Sequence, residues 1–283
     1  ILNGPILTFR PSKSGKAYKK VWDNENYGSP LRKFTIYQSK KLSDILSLDK
    51  NIIVDYAMRY GVPAMHKTLD NMMKQGCTKV LLVPLYPQYA ASTTATVKDE
   101  FFRWMLKQRW QPALRTIAPW FDDINYINAL AKTVKDNFKN DKKPDMLIIS
   151  FHGIPKRYFA AGDPYHCHCI KTARLLKEKL KWPDEKILVT FQSRFGPEPW
   201  LQPYTDKTII DLAKNGTKSI AVVAPGFISD CLETLEEINV EARELFIENG
   251  GKEFNYIPCL NDNEHSIKFL EGIIKKNLQG WVS

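Results

Sequence analysis

Three carboxylates, Glu233, Glu237 and Glu241, recur at i, i+4 and i+8 shortly after the apolar run Ile220–Val223. On one helix they form a single acidic face, where like charges repel by about 0.2–0.5 kcal/mol per pair. The positive end of the helix dipole offsets this for Glu233 but fades within a turn. Two readings fit the row: a solvated helix face, or a carboxylate track that handles a cation at the mouth of a strand. His152 follows Ile148–Phe151 directly, ahead of a turn held by Gly153 and Pro155. A histidine is a usable base near neutral pH, its unperturbed pKa being about 6.5. Cys167-His168-Cys169, with His166 before them, offer soft ligands for zinc or an iron–sulfur cluster, although the spacing is not C-x-x-C. Trp200 ends the rigid loop Gly196-Pro197-Glu198-Pro199-Trp200, which either presents an aromatic face or packs it on the surface.

Positioning such groups takes strands that end together. Ile220–Val223 has no polar alternation, as in a parallel strand buried on both faces. Pro225 and Gly226 break it, and Ser229 and Asp230 offer acceptors suited to the start of the helix that carries the glutamates. Thr35–Tyr37, Ile52–Tyr56, Val80–Leu85, Leu114–Ile117, Met146–Phe151, Ile187–Phe191 and Phe254–Ile257 also read as strands. Helices are expected from Ser92 towards Trp110 and over Ile124–Lys139, Cys169–Leu180, Asp206–Lys214 and His265–Asn277. This alternation predicts an α/β protein with parallel, doubly wound sheets. Gly76–Pro84 resembles Gly216–Ala224 at an offset of 140 residues, so two related halves are expected, with their strand ends facing a shared cleft. The lysine-rich segment 139–143 is the expected linker. It divides the chain into residues 1–142, 143–262 and a C-terminal helical segment, 263–283, that packs back on the first half.

The chain has 283 residues, 43% hydrophobic and 25% charged, which suits a globular protein with a substantial core. Its net charge of +10 favours an acidic partner: nucleic acid, an anionic membrane or a polycarboxylate ligand. No run of five basic residues occurs, which argues against nucleic acid. Neither GxGxxG nor GxxxxGK[ST] is present, which argues against nucleotide cofactors. Five cysteines without a regular framework point to a reducing, cytoplasmic compartment. ILNGPILTF at residues 1–9, followed by the basic stretch Arg10–Lys20, reads as an apolar lip for a membrane surface or an apolar ligand, or as a piece of core.

LYPQYAASTT at 85–94, SFHGIP at 150–155, GDPY at 162–165, FQSRFGPEPW at 191–200 and FISDCLETL at 227–235 together resemble the ferrochelatases, which insert ferrous iron into a porphyrin. The resemblance spans nearly the whole chain. It implies two Rossmann-like, chelatase-type domains around a porphyrin cleft, with His152 and Glu233 as the catalytic pair. It places Arg59, Tyr60, Tyr86, Ser92, Trp200, Phe227 and Asp230 on the cleft, and makes Glu237 and Glu241 a path for metal or protons. His152, Glu233, Glu237 and Glu241 are thus the expected metal-handling set. The implied product is haem, from protoporphyrin IX in the first instance, with two protons released. The apolar lip implies peripheral contact with a membrane. A strand and a porphyrin-contacting loop that precede the lip in the family are absent from this sequence. Cys231 stands where many relatives have histidine, and Ala91 where some have a cluster cysteine. Cys167, Cys169, Cys231 and Cys259 all fall near strand ends of the second half, which predicts that they bind a [2Fe-2S] cluster. A non-catalytic tetrapyrrole- or metal-binding protein and a nucleotide- or nucleic-acid-binding Rossmann protein are the rival readings.

Overall fold

A computed structural model describes residues 15, 18–22, 27–49, 51–138 and 143–282. The expected lip, residues 1–9, lies outside them. The first long helix, α1 (Pro30–Leu46), contains the segment 35–37 expected as a strand. Ser29 caps it, its Oγ accepting from Arg32 N at 3.3 Å, and Pro30 opens the first turn. Thr35, Gln38, Leu42 and Leu46 then recur at helical spacing on its buried side. The expected strand at 52–56 has no regular structure; beyond it only an isolated bridge joins Met58 to Ala64. Helix α2 (Met65–Lys74) leads into β1 (Lys79–Leu82), and a π-helical turn (Ala91–Ala95) into α3 (Thr96–Met105). Strand β2 (Ala113–Thr116) pairs with β1 in parallel, giving a two-stranded sheet among the described residues. Helix α4 (Ile124–Asn137) closes this half.

The second half begins with β3 (Met146–His152), so His152 is the last residue of the strand. The short helix α5 (Lys156–Ala160), then α6 (Tyr165–Leu180), β4 (Ile187–Gln192), α7 (Thr205–Lys214) and β5 (Ser219–Val223) follow. The glutamate segment is not one helix. A single turn, α8 (Leu232–Leu235), gives way to a π-helix (Glu237–Ala242) and then to α9 (Arg243–Glu248). Its N-cap is Cys231 rather than Ser229 or Asp230, with Thr234 Oγ1 accepting from Cys231 N at 2.9 Å. Strand β6 (Glu253–Ile257) and helix α10 (Glu264–Leu278) complete the chain. The four strands form one parallel sheet in the order β4-β3-β5-β6. Leu147, Ile148, Ile149 and Phe151 of β3 are wholly buried, as a central strand covered on both faces must be.

The 140-residue repeat extends well beyond the segment that revealed it. Lys79 pairs with Ala113 as Ser219 pairs with Glu253, each residue displaced by 140. Helices α2 and α7 begin 140 residues apart, as do α4 and α10. At the ends of α2 and α7, Gly76 and Gly216 both adopt left-handed backbone, with φ of +87° and +92°. Helix α4 packs on α6 and β6 of the second half, while Arg115 of β2 donates to the carbonyls of Asn277 and Gln279 at the end of α10. Each half therefore lends its last helix to the other.

One corner admits no change. A Cβ at Gly251, between α9 and β6, would lie 2.2 Å from Cε1 of the fully buried Phe246. Gly251→Ala should cost about 1–3 kcal/mol by overpacking, enough to lower the melting temperature by several degrees. An unchanged melting curve would show that the ring has room to move.

Candidate active site

His152, Gln192 and Glu233 meet at the carboxyl edge of the second sheet. His152 ends β3 and Gln192 ends β4, and the two stand opposite each other in the strand register. His152 Nδ1 lies 2.6 Å from Gly153 O. A carbonyl only accepts, so Nδ1 carries the proton and Nε2 keeps the free lone pair of a base. The half-buried ring sits between two aromatic walls, with centroids 6.3 Å from Trp200 and 6.4 Å from Phe227. Trp200 is held against the strand end by Leu201 N donating to Ile154 O at 3.0 Å and by Lys156 N donating to Pro199 O at 2.9 Å. Its indole N–H is buried and has no partner among the described residues. Space is tight at Gly153, where a Cβ would meet Gln192 O at 3.0 Å and the Trp200 ring at 3.1 Å.

Glu233 lies in the first turn of α8, its backbone carbonyl accepting from Gln192 Nε2 at 2.8 Å. Glu237 is largely buried, and Ser193 Oγ donates to its Oε2. Burial pushes this carboxyl up to about 7; Ser193 opposes the shift, the charges of Glu233 and Glu241 add to it, and Gln192 opposes it. The three glutamates thus sense one another even though the π-helix breaks the regular spacing. Single π-turns of this kind concentrate at functional sites.

Tyr86 of the first half lies near enough to this row to sense Glu233. Burial raises the phenol of Tyr86, with further contributions from Tyr60, Glu233 and Cys231, while Arg59 opposes them. Arg59 stacks over Tyr60 with its Cζ 4.5 Å from the ring centroid, and Tyr60 itself is exposed. Ser92 lies exposed in the first π-turn. Asp230 is only 4% exposed, and its carboxylate is engaged in the fold. It accepts from Thr234 Oγ1 at 3.0 Å, from Asn261 Nδ2 at 2.6 Å and from Tyr256 OH. Sequence reasoning missed Gln192, Ser193 and two groups near the N-terminus. Burial raises the Tyr18 phenol and Glu233 adds to the shift, while Lys20 Nζ lies 2.7 Å from the buried Glu236. Tyr18 and Lys20 lie in the basic stretch Arg10–Lys20, but nothing in it marks them as neighbours of the glutamates.

The expected iron–sulfur site is not formed. Among the described residues no three His, Cys, Asp or Glu side chains group as a metal ion requires. Cys167 is exposed, whereas Cys169, Cys231 and Cys259 are buried. Burial pushes those three thiols well up. His168 is occupied elsewhere: its Nδ1 accepts from Tyr89 N at 3.2 Å and its ring stacks on Phe121 at 3.7 Å. With Gln88 Nε2 donating to Thr172 Oγ1 at 3.0 Å, it ties the first half's turn to α6. The cysteine–histidine motif is therefore a joint between the halves. His152, Glu233, Glu237 and Glu241 form no such group among the described residues either.

Two repeated parallel sheets whose strand ends converge on a histidine and an acidic row define a chelatase-type architecture. The solved structure of SirB from Bacillus subtilis with Fe3+ shares the fold at a TM-score of 0.63 and 14% identity, over 89% of this chain and 92% of that one. The sirohydrochlorin chelatase SirB from Bacillus subtilis subspecies spizizenii, in complex with cobalt, matches at a TM-score of 0.59 and 16% identity, over 90% and 94% of the two chains. The family model for ferrochelatase matches residues 1–278. Ferrochelatase of Allorhizobium ampelinum is 56% identical over all of this chain and 82% of its own, and that of Brucella ovis 50% identical over all of this chain and 80% of its own. The chain belongs to the ferrochelatase family and is an enzyme of its kind, a lyase of haem biosynthesis with ferrous iron as substrate.

Proposed function

We propose that the chain inserts Fe2+ into a porphyrin, protoporphyrin IX being the macrocycle to try first, with His152 and Glu233 as the catalytic pair. The hydrogen bond from Gln192, the strand partner of His152, to the Glu233 carbonyl carries this reading, because it brings the backbone of both residues to one strand edge. Metallation must remove two pyrrole protons and exchange the hydration shell of the iron for ring nitrogens. His152 Nε2 accepts a pyrrole proton, and the Glu233–Glu237–Glu241 row stabilises the incoming cation and leads protons away. Trp200 and Phe227 hold the ring from one half, and Arg59, Tyr60, Tyr86 and Ser92 from the other. The division at residue 142, with α4 and α10 crossing over, belongs to the same reading. So do a cytoplasmic location and membrane contact through residues 1–9; no helix among the described residues is long and apolar enough to cross a membrane.

Anaerobic mixing of the purified protein with Fe2+ and excess protoporphyrin IX tests the assignment. Many haems formed per protein chain are expected, with coproporphyrin run in parallel to identify the preferred ring. Porphyrin bound at one equivalent without turnover would instead support the rival carrier.

A further inference from the structure

A buried polar chain stands behind the site. Gln192 is only 6% exposed, yet its amide is fully directed. Its Oε1 accepts from Ser150 Oγ at 2.7 Å, and its Nε2 donates to Glu233 O at 2.8 Å. Ser150 Oγ lies 3.0 Å from Thr205 Oγ1, which donates to Thr190 Oγ1 at 2.9 Å. Ser150, Thr190 and Thr205 are themselves buried. A buried chain of this length costs free energy unless every member is paired, and when paired it fixes one geometry. The Glu233 carbonyl can only accept, so it sets which way round the amide lies, nitrogen towards α8 and oxygen towards β3, where the Ser150 hydroxyl holds it.

Gln192 and Glu233 also issue from the two strands that flank β3, namely β4 and β5. Their bond thus closes over the end of the strand that carries His152. Ser193, the next residue, has left-handed backbone with φ of +63°, an uncommon conformation for a side chain other than glycine. This turn points its hydroxyl at Glu237. Two consecutive residues thereby hold the helical turn on one side of the π-junction and the carboxylate on the other. Cys231 is the N-cap, and the contacts from Gln192 and Ser193 fall on the first turns of the helical segment that it opens.

We propose that Gln192, locked by Ser150, is a positioning residue that sets Glu233 against His152 for metallation. The inference rests on the catalytic pair proposed above. A misplacement of about 1 Å is enough to slow chemistry roughly 100-fold, without any loss of substrate affinity. Gln192→Met keeps the length and burial of the side chain and removes its hydrogen bonds to Ser150 and Glu233 together with its interaction with the Glu237 carboxyl. Its kcat should fall roughly 10- to 100-fold, with the porphyrin KM changed less than about threefold. Ser150→Ala, which leaves the amide in place but unlocked, should show the same pattern more weakly. The double variant should lose no more than Gln192→Met alone, because Ser150 acts through the amide. A kcat close to wild type in Gln192→Met, or additive losses, would overturn the inference. If Gln192→Met fails to fold, Ser150→Ala decides: a kcat-only loss supports the positioning role, and wild-type kinetics or a loss confined to stability overturns it. His152→Ala and Glu233→Gln, assayed alongside, separate the two levels. Activity in both would remove the catalytic pair itself, whereas inactivity in both with normal Gln192→Met would remove only the role of Gln192.

Discussion

Replacing His152 by alanine should abolish iron insertion and leave the fold intact. The half-buried imidazole donates through Nδ1 to Gly153 O, and Nε2 is the nitrogen left to work as a base. Losing a positioned base costs roughly 10²- to 10⁴-fold in rate. Losing the one backbone hydrogen bond costs only about 0.5–1.5 kcal/mol, so the variant should melt a few degrees below wild type and remain cooperative. His152→Asn separates the two roles. Its amide can donate to the Gly153 carbonyl but has no basic nitrogen, so it should regain stability without regaining activity. Near-normal turnover in His152→Ala, measured as haem formed per chain, would sink the assignment.

What could be read from the sequence follows from which interactions are local. Buried parallel strands announce themselves as unbroken β-branched runs, and most strands of the second sheet were legible to within a residue or two, Ile187–Phe191 against Ile187–Gln192 for example. The half-chain repeat was visible because Gly76 and Gly216 end equivalent helices and must be glycine where the backbone turns left-handed. Helix α1 was misread because Thr35–Tyr37 looks extended in isolation. Its Ser29 cap and the stripe through Leu42 and Leu46 need a longer window. The break in the glutamate helix escaped for a different reason. At this break Glu236 and Glu237 find their partners in Lys20 and Ser193, both remote in sequence. Register hid Gln192 in the same way: nothing in FQSRFGPEPW says that its glutamine stands opposite His152. The cysteines misled because nearness to a strand end does not fix which way a thiol points. Three of them proved to be small buried groups, a common fate of free cysteine.

Glu237 should make stability depend on pH near neutrality, and Glu237→Gln should remove that dependence while lowering activity. The carboxyl titrates at about 7 in the folded chain because burial disfavours its charge, against an ordinary value of 4.5. Below pH 4.5 it is neutral whether folded or unfolded, and burial carries no electrostatic penalty. Between pH 4.5 and about 7 the folded state holds the proton more tightly, so stability falls as pH rises. Above that window the native state carries a buried anion, and the accumulated loss is on the order of 3 kcal/mol. The glutamine variant keeps the partner Ser193 but has nothing to ionise. Its melting temperature should therefore match wild type near pH 5 and exceed it by several degrees near pH 8. Catalysis should move the other way. A glutamine cannot accept and release a proton between Glu233 and Glu241, so iron insertion should drop by roughly 10²-fold. Neutralising Glu233, at the head of the row, should cost more, and neutralising the exposed Glu241 least. Melting curves and initial rates across pH 5–9 for wild type and the three variants test this directly. A melting difference independent of pH would mean that Glu237 titrates as an ordinary surface carboxylate. Equal and negligible rate effects at all three positions would mean that the glutamates are a solvated helix face.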